Sequence, residues 1–200
     1  VLNDIDSNLY SLYDYLKQEQ PKDIISRIKR DIDKYKLEED FSMISFNKNS
    51  SKFNQKVYDE HKESYIKLRD RFNKTRLPIY LYELTLYSFC QGMRFNSNGE
   101  FNMPVGNSVF SKQIENSIIK SKSFFHSENL SITNKSFVDI DIDKLESNDF
   151  VYLDPPYFNS TATYNENGGW TKDNEEELYK FCETLDKKGI KWAMSNSFTT

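Results

Sequence analysis

The stretch with most to offer chemically runs from Asp149 to Ser160, DFVYLDPPYFNS. Phe150, Val151, Tyr152 and Leu153 read as a strand, and Asp154, Pro155, Pro156 and Tyr157 follow at once. Neither proline has an N–H to give to a ladder, and the first restricts the residue before it, so the strand must stop at Asp154. A carboxylate acceptor and an aromatic face are then presented on a turn that costs little entropy to hold rigid. A capped turn at a strand end is the plainer account of the same residues. Cys90 and Cys182 form no spaced set with His61 and His126, which argues against a zinc site or a disulfide framework and fits a reducing cytoplasm.

The elements that must position Asp154 read as α/β. Val1-Leu2 predicts a short strand that passes through Asn3-Asp4 into a helix with Leu9, Leu12, Tyr13 and Leu16 at helical spacing. Ile24, Ile25, Ile28 and Ile32 mark a second helix, and the polar stretch NKNSSKFNQK a loop. A third helix turns Tyr58, Tyr65, Leu68 and Phe72 inward and leaves Lys62, Arg69, Lys74 and Arg76 on other faces. After Pro78, IYLYELTLYSFC reads as a buried helix. Asn98-Gly99, between short apolar-polar alternations, predicts a β-hairpin with a two-residue loop in which both positions take positive φ. Its flanks carry Arg94, Asn96 and Asn102, which can bond base edges, and a two-stranded ribbon fits the major groove. A purely decorative surface hairpin has the same pattern. LSITNKSFVDI and DFVYLDPPY then read as strands, NEEELYKFCETLDKKG as a helix with Gly189 at its C-terminus, and IKWAMSNS as a further strand.

Two hundred residues with 37% hydrophobic content suffice for one domain, or for a domain with a substantial insert. No apolar run approaches the roughly 20 residues of a membrane span. The chain begins at Val1 and shows no secretory leader. The net charge of −4 is uneven: residues 52–137 carry 13 basic and 8 acidic groups, whereas residues 138–200 carry 6 and 13. A basic middle can supply the phosphate contacts that dominate nucleic-acid affinity; a solvated helix surface has the same composition.

The succession NDIDSNL, SYIKLRDRFNKTR, FCQGMRFNSNGEFNMPVG, FVYLDPPYFNSTATYN and GIKWAMSNS resembles the Dam-type adenine-specific DNA methyltransferases over essentially the whole chain. The signature follows a recognition insert, similar to the alpha arrangement of these enzymes. The resemblance implies an α/β fold: a Rossmann-like S-adenosylmethionine-dependent methyltransferase sheet, residues 1–50 and 131–200, with a mostly helical target-recognition insert containing the hairpin, residues 51–130. It implies methyl transfer to the exocyclic amino group of an adenine flipped out of double-stranded DNA. That nitrogen is a poor nucleophile because its lone pair is delocalised into the ring. Asp154 would accept one of its N–H groups and the Pro155 carbonyl another, with Pro156 keeping the geometry rigid. Tyr157 would stack on the base, worth about 1–3 kcal/mol against unstacking. No metal is called for, since the sulfonium already carries its leaving group. By the same resemblance Asp4 would bind the donor's ribose, Phe137 would lie near its adenine, Asp154 would touch the donor, and Tyr164 the donor or the target. A turn Asp4 and a core Phe137 are the alternatives. Arg94, Asn96 and Pro104 correspond to the recognition hairpin, and Arg69, Lys74 and Arg76 are candidates for phosphate contacts, with a salt-bridged helix face the alternative for any one of the three. The implied setting is the cytoplasm of a bacterial or phage-infected cell, with no membrane partner.

Two departures stand against the pattern. The family's Phe-x-Gly-x-Gly donor loop, expected about 20 residues before Asp4, is not in this chain, whose first glycine is Gly92. The chain therefore reads as a piece lacking the first strand and that loop. Gly92 stands where relatives often carry Leu or Met, and Asn107 where they carry Lys or Arg, departures that leave the recognition sequence open, the GATC of the best-known relatives included. A non-catalytic DNA-binding remnant and an RNA or protein-amide methyltransferase are the rival readings. Asp154 itself speaks against the protein-amide one, whose members usually have Asn there.

Overall fold

A computed structural model describes residues 1–37, 51, 53–157 and 170–196. They form two compact units, one of Val1–Leu2 and Asp6–Thr133, the other of Asn3–Ile5 and Asn134–Thr200. The predicted functional division placed residues 6–50 with the sheet, whereas the first compact unit groups the described part of that segment with residues 53–133.

The first unit is helical: α1 (Ser7–Gln18), α2 (Pro21–Tyr35), α3 (Gln55–Thr75), α4 (Pro78–Tyr87) and α5 (Lys112–Phe125). The Asp6 carboxylate caps α1 by accepting from the Asn8 N–H at 2.7 Å, which leaves Asp4 outside the cap. α2 and α4 start on prolines at the first helical position, where the missing N–H has no partner to lose. α2 buries Ile24, Ile25, Ile28 and Ile32, and α3 buries Tyr65, Leu68 and Phe72, as the periodicity predicts; Tyr58 is half-buried. α4 buries Ile79, Tyr80, Leu81, Glu83, Leu84, Leu86 and Tyr87, a helix surrounded on all sides, which is why no single face was legible. α5 carries a single fully buried residue, Ile118.

The predicted hairpin is present, but its loop differs. Asn96 N–H bonds the Glu100 carbonyl at 2.9 Å, and Gly99 N–H the Asn96 carbonyl at 2.8 Å. Only Gly99 has positive φ, at 72°, so the connection is the three residues Ser97-Asn98-Gly99, a turn followed by a bulge. The reason lies in Asn96: its side-chain oxygen accepts the N–H groups of Asn98 and Glu100 at 3.0 and 2.9 Å and caps the turn from within.

The strands are short. β1 (Leu2–Asn3) and β2 (Ile132–Thr133) make one two-stranded sheet, β3 (Phe150–Leu153) and β4 (Lys191–Met194) another. The longer strand expected in LSITNKSFVDI stops at Thr133, and Phe137–Asp139 form a single 3-10 turn. Side chains take the place of a ladder there. Asn134 Nδ2 donates to the Asp4 and Ile5 carbonyls at 2.8 and 3.0 Å. Asn3 donates from Nδ2 to the Lys135 carbonyl and accepts from the Lys135 N–H.

In the second unit β3 and β4 run parallel, Phe150 opposite Lys191 through Leu153 opposite Met194. α6 (Lys172–Lys187) begins with a reciprocal Thr171–Asn174 capping box. It ends as expected at Gly189, φ 69°, whose N–H bonds Asp186 while Ile190 N–H returns to Leu185 at 3.0 Å. Phe181, Leu185 and Ile190 form the buried core, against which Val151, Leu153 and Trp192 pack from the sheet.

Candidate functional site

The chemical signature sits where a strand ends. β3 closes at Leu153, and its carbonyl accepts the Ser195 N–H at 2.9 Å, continuing the β3–β4 ladder one step past β4. Asp154 comes next and is exposed, while Pro155, Pro156 and Tyr157 are half-buried. The strand therefore stops where the double proline requires. Tyr152, one residue before Leu153, has its phenol hydrogen-bonded to the Ser195 hydroxyl.

Asp4 lies about 150 residues away in sequence yet belongs to the same compact unit, because Asn134 holds the Asp4 and Ile5 carbonyls. Its own side chain is half-buried. Phe137 also belongs to that unit. Its ring packs edge-on against Phe181 at 5.8 Å and tilted against Trp170 at 5.9 Å, the surroundings of a core residue with one side open. Asp4, Phe137, Asp154 and Tyr157 are thus gathered into one unit, and Tyr164 lies outside the described residues. Among the described residues no group of three or more His, Cys, Asp or Glu is arranged to hold a metal ion.

The candidate DNA residues fall in the other unit. A polar groove of about 500 Å³ lies between α3 and the hairpin, lined by Arg69, Asp70, Asn73, Lys74, Asn96, Glu100, Phe101 and Asn102. The groove brings Arg69, Lys74 and Asn96 together. Several of the cations already have partners. Arg94 donates from Nε to the Asn102 side chain at 2.9 Å and from its terminal nitrogen to the Asn102 carbonyl at 3.0 Å. Arg69 pairs with its neighbour Asp70 at 3.2 Å. Arg76 ends α3 in the left-handed conformation and donates to the Gly99 carbonyl at 2.5 Å, its guanidinium over the Phe72 ring. Pro104 contributes its carbonyl to the Phe89 N–H.

The residues that seat the hairpin were not anticipated. Asn73 pairs with the Phe101 backbone like a neighbouring strand, accepting its N–H at 2.8 Å and donating to its carbonyl at 3.2 Å. Tyr65 donates its phenol proton to the Met103 carbonyl at 2.8 Å. The available signal was spacing: Tyr65, Arg69 and Asn73 recur every fourth residue and so share one helix face. Elsewhere in the same unit two buried ionisable groups are held neutral. Burial pushes the His61 imidazole down to about 4, which suits a core histidine. Burial, reinforced by the neighbouring Asp31 carboxylate, pushes Glu83 up to about 9. Arg27 pairs with Asp31 at 2.7 Å in the same cluster.

The whole chain, residues 1–200, matches the family model of the D12 class N6 adenine-specific DNA methyltransferases. The chain belongs to that family. It is 31% identical over 202 residues to the type II methyltransferase M.FokI of Planomicrobium okeanokoites, covering 98% of this chain and 28% of that protein. The modification methylase StsI of Streptococcus sanguinis is 28% identical over the same shares. The DNA adenine methylase of Escherichia coli K12 is 26% identical over 151 residues, 72% of this chain and 51% of that protein. The chain thus spans little more than a quarter of the first two relatives. Among the described residues no helix is long and apolar enough to cross a membrane.

Proposed function

We propose that this chain forms part of an S-adenosylmethionine-dependent enzyme that methylates the exocyclic amino group of adenine in double-stranded DNA. The observation that carries the reading is the rigid Asp154-Pro155-Pro156-Tyr157 turn, set directly on the end of a parallel strand in a chain matched throughout to the family. Parallel pairing of β3 and β4, with α6 packed on one face, is what a fragment of a Rossmann-like sheet provides, and small-molecule sites in such sheets lie beyond the carboxyl ends of the strands. Asp154 accepts a hydrogen bond from the target amine, so that the lone pair turns out of conjugation. The Pro155 carbonyl accepts the second N–H, and Tyr157 stacks against the base once it has left the duplex. Asp4 and Phe137 hold the donor, whose sulfonium supplies an activated methyl group. The helical unit and its hairpin act as the target-recognition region, with Lys74 and Arg69 toward phosphates and the hairpin toward base edges.

The test is tritium transfer from labelled S-adenosylmethionine into duplex DNA by the full-length protein. Asp154→Ala is expected to lower turnover by about 10³-fold or more while DNA binding persists. Near-normal turnover in that variant would remove Asp154 from the mechanism.

A further inference from the structure

Asp154 can work only if its carboxylate is held to within a fraction of an ångström, and the double proline that stiffens the turn after it adds no backbone N–H bond to anchor it. Pro155 and Pro156 donate nothing to a ladder. The last backbone tether before Asp154 is therefore the bond from Ser195 N–H to the Leu153 carbonyl, 2.9 Å. Ser195 makes a second contact with the same strand, hydroxyl to hydroxyl with Tyr152.

The two contacts reach β3 from different directions. Val151 and Leu153 face the core under α6, whereas Phe150 and Tyr152 face outward, 63% and 60% exposed. Asp154, two residues beyond Tyr152, continues that outward register. The β3–β4 pairing runs Tyr152 with Ala193 and Leu153 with Met194, so the next step sets Ser195 level with Asp154. Ser195 thus grips the core-facing residue before Asp154 by its backbone and the outward-facing one by its side chain. Tyr152 is 60% exposed, so among the described residues its hydroxyl bond to Ser195 is the contact that defines where its side chain sits.

We propose that Ser195 is a positioning residue for Asp154, acting through the Leu153 carbonyl and the Tyr152 phenol and not through substrate. The inference rests on the reading of Asp154 as the acceptor of the target amine. Ser195→Ala keeps the backbone bond and removes the hydroxyl clamp, so it tests the side-chain half.

In the full-length protein Ser195→Ala should lower kcat on the order of 10- to 100-fold, with KM for DNA and for S-adenosylmethionine unchanged. Tyr152→Phe should do the same, and the double variant should be no slower than either single one, because both remove one bond. Ser195→Thr should restore kcat. Wild-type kcat in Ser195→Ala, or losses that multiply in the double variant, would overturn the inference. Should Ser195→Ala fail to fold, Tyr152→Phe decides alone, since phenylalanine keeps the ring and a normal kcat there sinks the clamp. Asp154→Ala run alongside separates the two claims. If it stays active, the reading of the site fails; if it is dead while Ser195→Ala is normal, only the positioning role fails.

Discussion

Among the described residues the helical unit buries a cluster of 18 hydrophobic side chains, from Leu12 to Ile118, whereas the sheet unit's cluster has three, Phe181, Leu185 and Ile190. The candidate groups differ in the same sense. In the helical unit the recognition candidates are held by one another and by the backbone: Arg94 by Asn102, Asn96 by its own turn, Arg76 by Gly99. In the sheet unit Asp154 stands exposed at the end of a four-residue strand. Among the described residues the recognition candidates thus rest on the larger buried cluster, and the Asp154 turn on the smaller one.

The largest effect expected from breaking this contrast comes from the deep core. Phe72 is 1% exposed and packs against Phe95 and Phe101 of the hairpin, at centroid distances of 6.3 and 6.2 Å. Phe72→Ala should destabilise the helical unit by about 3–5 kcal/mol. Denaturant unfolding of the 200-residue chain measures it, and a loss below about 1 kcal/mol would mean that the hairpin does not depend on that core.

The next effect is one of pH. Glu83 is fully buried and its folded pKa, about 9, lies above that of an exposed carboxyl. The folded state therefore holds a proton that the unfolded chain has lost, and stability falls as pH rises from about 4.5 to about 9. His61 works in the opposite sense, costing stability as pH falls from about 6.5 toward 4. Above pH 6.5 only Glu83 of the two acts, with a slope of about 1.4 kcal/mol per pH unit. Glu83→Gln should flatten stability between pH 6.5 and 8.5 and raise it at the upper end. Parallel pH profiles for the two proteins would show that Glu83 is not the titrating group.

Legibility in the sequence followed the same divide between local and distant causes. α2, α3 and α6 were readable because one apolar stripe each repeats at helical spacing, and the end of β3 because prolines act on their own neighbours. The Asn98-Gly99 turn was visible, but its register depended on a side chain two residues upstream, Asn96. What stayed hidden depends on partners far along the chain. Asn134 serves Asp4 across 130 residues and truncates a strand that β-propensity favours. Asn73 reads as a surface residue until Phe101 is beside it. Arg94 could be marked as a cation at a hairpin, but not as one already bound.

That last fact sets the smallest effect. A bidentate contact from Arg94 to a guanine edge would discriminate against the wrong base by about 1–3 kcal/mol. Reading a base requires the guanidinium to give up its bonds to the Asn102 side chain and carbonyl, worth about 0.5–1.5 kcal/mol each when partly exposed. Those two costs sum to about 1–3 kcal/mol, the same size as the gain, so the net preference at one position should be small, between nothing and about 2 kcal/mol. Arg94→Ala in the full-length protein should relax that position alone, and Asn102→Ala, which removes one competing bond, should sharpen it. Methylation of a randomised duplex library at two salt concentrations, read by sequencing the modified adenines, tests both. A uniform drop across all sequences, with the salt slope lowered by about one, would make Arg94 a phosphate anchor instead. An unchanged preference in both variants would leave the Arg94–Asn102 pair as a brace of the hairpin, and the groove-lining Arg69 and Lys74 as the cations that face DNA.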